Sequence, residues 1–223
     1  DRRLDGLTGV TGVTTIALGR LVTLAGVPLV TDTAADLLGP SSTIAGETRW
    51  TRQPTSFFQG NRFLLGALLT QVLWVTSGDV LADLYAGVGL FAVALAARGA
   101  RVLAVEADGS SSEDLRRNGE QVADRLTTAE ASVEHALSGS APGGLEAVIV
   151  DPPRTGMSPE AVGGLLSWRP PRLVYVSCDP PTLARDAALL YAGGYGLEQI
   201  EAFDLFPNTP HVETVAVFDR GRA

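Results

Sequence analysis

From about residue 61 to residue 191 the chain switches repeatedly between two hydrophobic periods, and that alternation restricts it to one fold class. Residues 80–85, 101–106, 147–151 and 173–177 are short apolar runs, several of them rich in valine, that read as buried strands. Between them lie segments with helical spacing: 61–75, with Phe63, Leu64, Leu68, Val72 and Leu73 along one side, then 90–98, a polar helix at 111–125, 159–167 and 182–191. A further strand near 129–133 is weakly marked. Repeated β-α units make neighbouring strands parallel, because each helix is the crossover between them. The runs at 197–203 and 213–218 have nothing helical between them and read as an antiparallel hairpin. The prediction is an α/β protein: a doubly wound, mainly parallel sheet with an antiparallel final hairpin.

The first 52 residues read differently. Three β-favouring runs, 13–18, 21–24 and 27–30, are separated by Gly-Arg and Ala-Gly turns and suggest a small antiparallel meander. A Gly/Pro/Ser-rich loop follows at 39–46, and the character changes near Gln53-Pro54. The expected division is a β-rich segment over 1–52 and an α/β domain over 53–223. Met157 is the only methionine, so residue 1 is read as the start of a fragment or processed chain.

Composition excludes several functions. The longest apolar stretch, 88–97, is cut by Arg98 and Gly99, too short for a membrane span, and no secretory pattern opens the chain. One cysteine and two histidines leave no disulfide framework and no zinc or iron–sulfur site, so a reducing, cytoplasmic setting without metal is expected. At 45% apolar the chain can bury a full core. All 17 basic residues are arginine, and the net charge of −8 has the wrong sign for binding nucleic acid through the whole surface.

Asp83-Leu84-Tyr85-Ala86-Gly87-Val88-Gly89 follows a predicted strand and opens a predicted helix, where glycines let a ligand approach backbone N–H groups. Ala92 stands at the third position of a G-x-G-x-x-G fingerprint, which disfavours a dinucleotide. Glu106 ends the next strand, 19 residues past Gly87, where an acid accepts from ribose hydroxyls. Each feature alone is commonplace in tight turns and strand ends; together they favour an adenosine-bearing ligand. Asp151-Pro152-Pro153-Arg154 closes another strand, with the prolines stiffening the loop around an acceptor. Cys178 closes the adjacent strand, and His211-Val212-Glu213 opens the last one. A single cysteine is more often packing than nucleophile, and a single glutamate more often surface than base. His211 reads as a structural neighbour.

With these segments in place the chain resembles the RNA uracil-5-methyltransferase family, class I S-adenosylmethionine enzymes that form 5-methyluridine in tRNA or rRNA. The matching segments are Ser56-Phe57-Phe58-Gln59-Gly60-Asn61, the Asp83–Gly89 loop, Asp151-Pro152-Pro153-Arg154-Thr155-Gly156, Tyr175-Val176-Ser177-Cys178-Asp179-Pro180 and His211-Val212-Glu213. They occur in the family's order over roughly residues 50–219. The resemblance implies a Rossmann-like methyltransferase fold and S-adenosyl-L-methionine held by Gln59, Tyr85, Gly87, Gly89, Glu106 and Asp151. It implies Cys178 as the nucleophile, Glu213 as the base, and a uridine in tRNA or 23S rRNA as substrate. Residues 1–52 then become the remnant of a truncated central or RNA-binding domain.

The implied chemistry needs these residue types. A thiolate adding to uracil C6 makes C5 nucleophilic, and a carboxylate then removes the C5 proton so that the thiol can leave. A helix N-terminus after Pro180-Pro181 is expected to favour the thiolate, and the stacked target base must be flipped out. The chain departs from the family at Asp179 (usually asparagine), Ala86 (commonly cysteine) and Leu90 (often polar), and Ala131-Ser132 present no clear acid for an adenine amino group. Two other readings remain: an amino-directed methyltransferase, on adenine or protein glutamine, using Asp151, and a catalytically silent fragment that binds cofactor or a partner. A cytosine-5 methyltransferase would carry a cysteine segment at the Asp151 position, which is absent.

Overall fold

The computed structural model describes residues 10, 12–18, 20–39 and 43–221. Its centre is a seven-stranded sheet in which β5 (Val80–Leu84), β6 (Arg101–Glu106), β7 (Leu126–Glu130), β8 (Ala147–Val150) and β9 (Arg172–Ser177) run parallel. β11 (Glu213–Arg220) pairs antiparallel with β9, and β10 (Tyr195–Phe203) pairs antiparallel with β11 at the edge. The spatial order is β10-β11-β9-β8-β5-β6-β7, so the chain starts centrally at β5 and winds outward both ways. The predicted α/β fold with its antiparallel end is the observed one.

Strand alternation sorts the core into two layers. Leu81, Ile149, Val174, Val176, Val215 and Val217 face one cluster, filled by α2 (Arg62–Val75) and α3 (Leu90–Ala97). Ala82, Leu84, Val148, Val150, Tyr175 and Phe218 face the other, covered by α5 (Val133–Ser138), α6 (Pro159–Trp168) and α7 (Pro180–Ala192). All five residues of β5 and all four of β8 are buried, as central parallel strands covered on both faces must be. Among the described residues, no helix is long and apolar enough to cross a membrane.

Several local predictions need correcting. β1 (Gly12–Ala17) and β2 (Arg20–Gly26) form a hairpin, but the third run of the expected meander does not join them. Gly26 turns the chain with φ +69° and Pro28 has no N–H to give a ladder, so the chain re-forms as β3 (Val30–Thr33), paired with β4 (Arg49–Arg52) in a separate two-stranded sheet. Between them α1 (Ala34–Leu38) is started by a capping box from Thr33 and Asp36. The polar helix predicted over 111–125 is α4 (Gly109–Gly119), capped by Asp108 and followed by a single 3-10 turn. The weak strand lies at 126–130 rather than 129–133, because Ser132 caps α5 and takes the following residues into a helix.

β4 and the residue after it pack on the rear of the glycine loop. Trp50 is fully buried and its Nε1 donates to the Gly89 carbonyl at 3.1 Å, while Asn118 Nδ2 donates to the Val88 carbonyl at 2.9 Å. The backbone amides of Thr51 and Gln53 donate to Asn118 Oδ1 and Asp114 Oδ2, each at 2.8 Å. Trp50→Ala should therefore cost about 3–5 kcal/mol in urea unfolding, and Trp50→Phe, which keeps a ring but no donor, about 1 kcal/mol.

Candidate active site

The carboxyl ends of the parallel strands open into one cavity of about 800 Å³, within the range of cofactor-sized sites. Its first half is built on the turn after β5. Tyr85 holds φ +62°, an uncommon backbone for an aromatic residue, and Gly87 and Gly89 hold +55° and +89°. The two glycines differ in reason. A Cβ on Gly87 would meet open space within 4 Å, whereas one on Gly89 would lie 2.7 Å from Leu115 Cδ1. Glycine at 89 is therefore demanded by packing as well as conformation, and glycine at 87 by its backbone alone.

Glu106 is fixed by two backbone donors: Gly87 N to Oε2 and Asp108 N to Oε1, each at 2.7 Å. It ties the glycine loop to the start of α4. Asp108 in turn accepts from Ser110 Oγ and the Ser111 amide, and these bonds hold its carboxyl below the usual range. Behind the loop Asp83 is completely buried, and burial pushes its pKa up to about 7 against the opposing influence of the Ala92 backbone.

The second half is set by strand register. β9 and β11 pair Ser177 with Thr214 and Val176 with Val215. The ladder ends there; Cys178 is the next residue after β9 and Glu213 the first of β11, so continuing the register would set them opposite each other, on one face. Glu213 is 1% exposed, and neither carboxylate oxygen has a partner. Burial raises its pKa to about 7. Asp151 is held well above the usual carboxylate range by burial first, then by Glu213, Asp83 and Glu106. Gln59, Tyr85, Gly87, Glu106, Asp151, Cys178 and Glu213 all line the cavity; Gly89 lies behind it as the N-cap of α3.

One electrostatic expectation is reversed. The thiol of Cys178 is pushed up, by burial and then by Glu213, with Arg154 opposing. The α7 N-terminus does not help because Pro180 and Pro181 occupy its first two positions and have no N–H. The next amides are already used: Thr182 N donates to Asp179 Oδ1 at 3.0 Å and Leu183 N to the Asp179 carbonyl at 3.1 Å. Asp179 is thus a helix cap, a role an asparagine side chain performs through the same oxygen.

A strap over residues 55–61 closes the cavity from above. Ser56 Oγ donates to Asp114 at 2.6 Å, and Asn61 caps α2 while its Nδ2 reaches the Asp204 and Leu205 carbonyls. Between these anchors Gln59 is buried, with Oε1 unpartnered. Phe57 is 69% exposed at the rim, and Arg52 covers the Phe58 ring at 3.7 Å. His211 meets Phe206, which lines the cavity, edge to face with centroids 6.3 Å apart. Sequence reading missed Asp108, Ser110, Ser111, Arg154 and Phe206 as lining residues. The polar start of α4 was the available signal for the first three. Leu90 and Ala86 line the cavity too, whereas Ala131 and Ser132 are not among its lining residues. Among the described residues no cluster of His, Cys, Asp and Glu has the arrangement of a metal site.

The fold and this strand-end cavity are those of class I methyltransferases. A crystal structure of the Pyrococcus abyssi tRNA (uracil-54, C5)-methyltransferase in complex with S-adenosyl-L-homocysteine superimposes with a TM-score of 0.74 at 34% identity, covering 89% of this chain and 45% of that one. Residues 144–220 match the family model described as tRNA (Uracil-5-)-methyltransferase. The curated P. abyssi tRNA (uracil(54)-C(5))-methyltransferase is 40% identical over 73% of this chain and 38% of its own length. The 23S rRNA (uracil(1939)-C(5))-methyltransferase RlmD of Pseudomonas putida is 37% identical over 88% of this chain and 44% of its own. The chain belongs to the RNA uracil-5-methyltransferase family, and it spans less than half the length of these relatives.

The buried acids make a prediction about pH. Glu213 binds its proton more tightly folded, at about 7, than its ordinary 4.5. The resulting stabilisation is complete below the unfolded value and is lost as pH rises through the folded one. Stability in urea should fall between about pH 5 and pH 8, with Asp83 acting in the same window. Glu213→Gln should flatten that slope and be more stable than wild type at the alkaline end, by on the order of 2 kcal/mol.

Proposed function

We propose that this chain carries the catalytic part of an S-adenosylmethionine-dependent RNA methyltransferase that methylates C5 of a uridine in tRNA or 23S rRNA through a covalent cysteine adduct. The observation that carries the reading is that Cys178 and a buried, unpartnered Glu213 line the same cavity as the glycine loop. The residues present suit the cofactor. Gln59 offers a buried acceptor without a partner, Gly87 leaves open space, and Glu106 holds a fixed carboxylate at the place that accepts from ribose hydroxyls. When bound, S-adenosylmethionine supplies an activated methyl group on a sulfonium.

The protein's residues do the rest. The Cys178 thiolate bonds to uracil C6, and the ring's π electrons move to C5 and the C4 oxygen as an enolate. With C5 methylated, Glu213 takes the C5 proton. The electron pair of that C–H bond restores the C5–C6 double bond and expels the thiolate. A carboxyl poised near 7 is matched to both halves of this task, accepting a proton at neutral pH and then releasing it. Asp151, in the same cavity and inclined to protonation, offers a donor or acceptor to the base edge.

Cys178→Ala should abolish methyl transfer to RNA and leave S-adenosylmethionine affinity close to wild type. Glu213→Gln should instead accumulate a protein–RNA adduct that survives a denaturing gel, because the step after methylation is blocked. Full activity in Cys178→Ala would remove the covalent mechanism in favour of amino-directed transfer.

A further inference from the structure

The cavity has a marked charge imbalance around its thiol. Among the described residues four carboxylates line it, Glu106, Asp108, Asp151 and Glu213, against one basic side chain, Arg154. Glu213 faces Cys178 from β11 and Asp151 from the loop after β8, both opposing thiolate formation; Asp179 follows in the cysteine's own loop as a helix cap. The helix end beyond it has no free N–H to offer. Among the described residues, the one basic side chain that lines the cavity together with the sulfur is Arg154, and its guanidinium favours the thiolate.

The loop that carries Arg154 is fastened to the helix that follows Cys178. Asp186, on α7 and 1% exposed, accepts from the Met157 amide at 2.8 Å, from Tyr175 Oη at 2.6 Å and from Arg185 Nε at 2.8 Å. Arg185 Nη2 then donates to the Thr155 and Met157 carbonyls at 3.0 and 3.1 Å. Gly156 turns with φ +74°, and a Cβ there would lie 2.5 Å from Arg185 Nη2 and 2.7 Å from Asp186 Oδ2. These bonds tie strand β9 and helix α7 to the Thr155–Met157 end of the loop that carries Arg154.

We propose that Arg154 is the counter-ion that makes the Cys178 thiolate accessible in this acidic cavity, and that Asp186 is a positioning residue holding the Arg154 loop against the thiol. This rests on the covalent reading above for its meaning in catalysis, but the ion pair itself is independent of it. A guanidinium suits the role because it keeps its charge at any working pH.

Cys178 is the only cysteine, so the apo protein reports its titration directly, by ultraviolet thiolate absorbance and by the pH dependence of iodoacetamide alkylation. Arg154→Gln should raise the thiol pKa by about one unit or more, roughly tenfold less thiolate at neutral pH. Arg154→Lys should recover most of that loss, since charge is retained. Asp186→Asn should shift the titration the same way by less, and Tyr175→Phe serves the same purpose if Asp186→Asn does not fold. An unchanged titration in folded Arg154→Gln overturns the ion pair. A wild-type titration in the clamp variants overturns the positioning role alone. If Arg154→Gln shifts the thiol while Cys178→Ala still methylates RNA, the ion pair stands and the covalent mechanism falls; no shift with an inactive Cys178→Ala gives the reverse.

Discussion

One antiparallel strand determines where the chemistry of this protein is assembled. In a purely parallel sheet, every strand brings its last residue to the ligand-binding edge. β11 enters from the opposite direction between β9 and β10, so it brings its first residue to that same edge. Glu213 therefore meets Cys178 although 34 residues separate them in the sequence, from 178 to 213, and α7 and β10 intervene. The pairing of Ser177 with Thr214 fixes the meeting to a single register, because a one-residue slip would turn the carboxylate to the opposite face.

The same edge gathers acids that water would otherwise keep apart. Asp83, Asp151, Glu106 and Glu213 are brought to the ends of neighbouring strands in a chain that is already acidic. Desolvation is the first cause of the upward shift at Asp83, Asp151, Cys178 and Glu213 alike, with mutual repulsion adding to it at Asp83, Asp151 and Cys178. A site of this kind holds protons near neutrality without any histidine taking part. It also opposes ionisation of its own thiol, so the position of a single arginine carries unusual weight.

Much of this was legible in the sequence. The switch between periods of two and about 3.6 gave the sheet, and strand alternation places Asp151 and Cys178 on the face that Val174 and Val176 share, once each strand's end is known. The β-rich start was harder. Pro28 and Gly26 break the expected meander, yet the partner of Val30–Thr33 lies across a helix at Arg49–Arg52, and no local pattern announces a non-adjacent pairing. The Pro180-Pro181 turn was read for its position at a helix start; its missing N–H groups matter more. In the sequence Arg154 is only the fourth residue of a strand-closing segment. Its relation to the sulfur depends on a clamp between residues 29 and 30 positions apart, which single-sequence patterns do not encode.

The two prolines at the head of α7 have a consequence for the resting protein. They deny Cys178 the N–H donors that the first turn of a helix ordinarily offers, so no backbone hydrogen bond from that turn stabilises its charged form. A thiol left mostly protonated is a poor target for peroxide and for stray electrophiles, since the thiolate is the reactive form. The fold thus keeps its most vulnerable atom quiet by default and leaves its activation to a single charged side chain at the cavity wall.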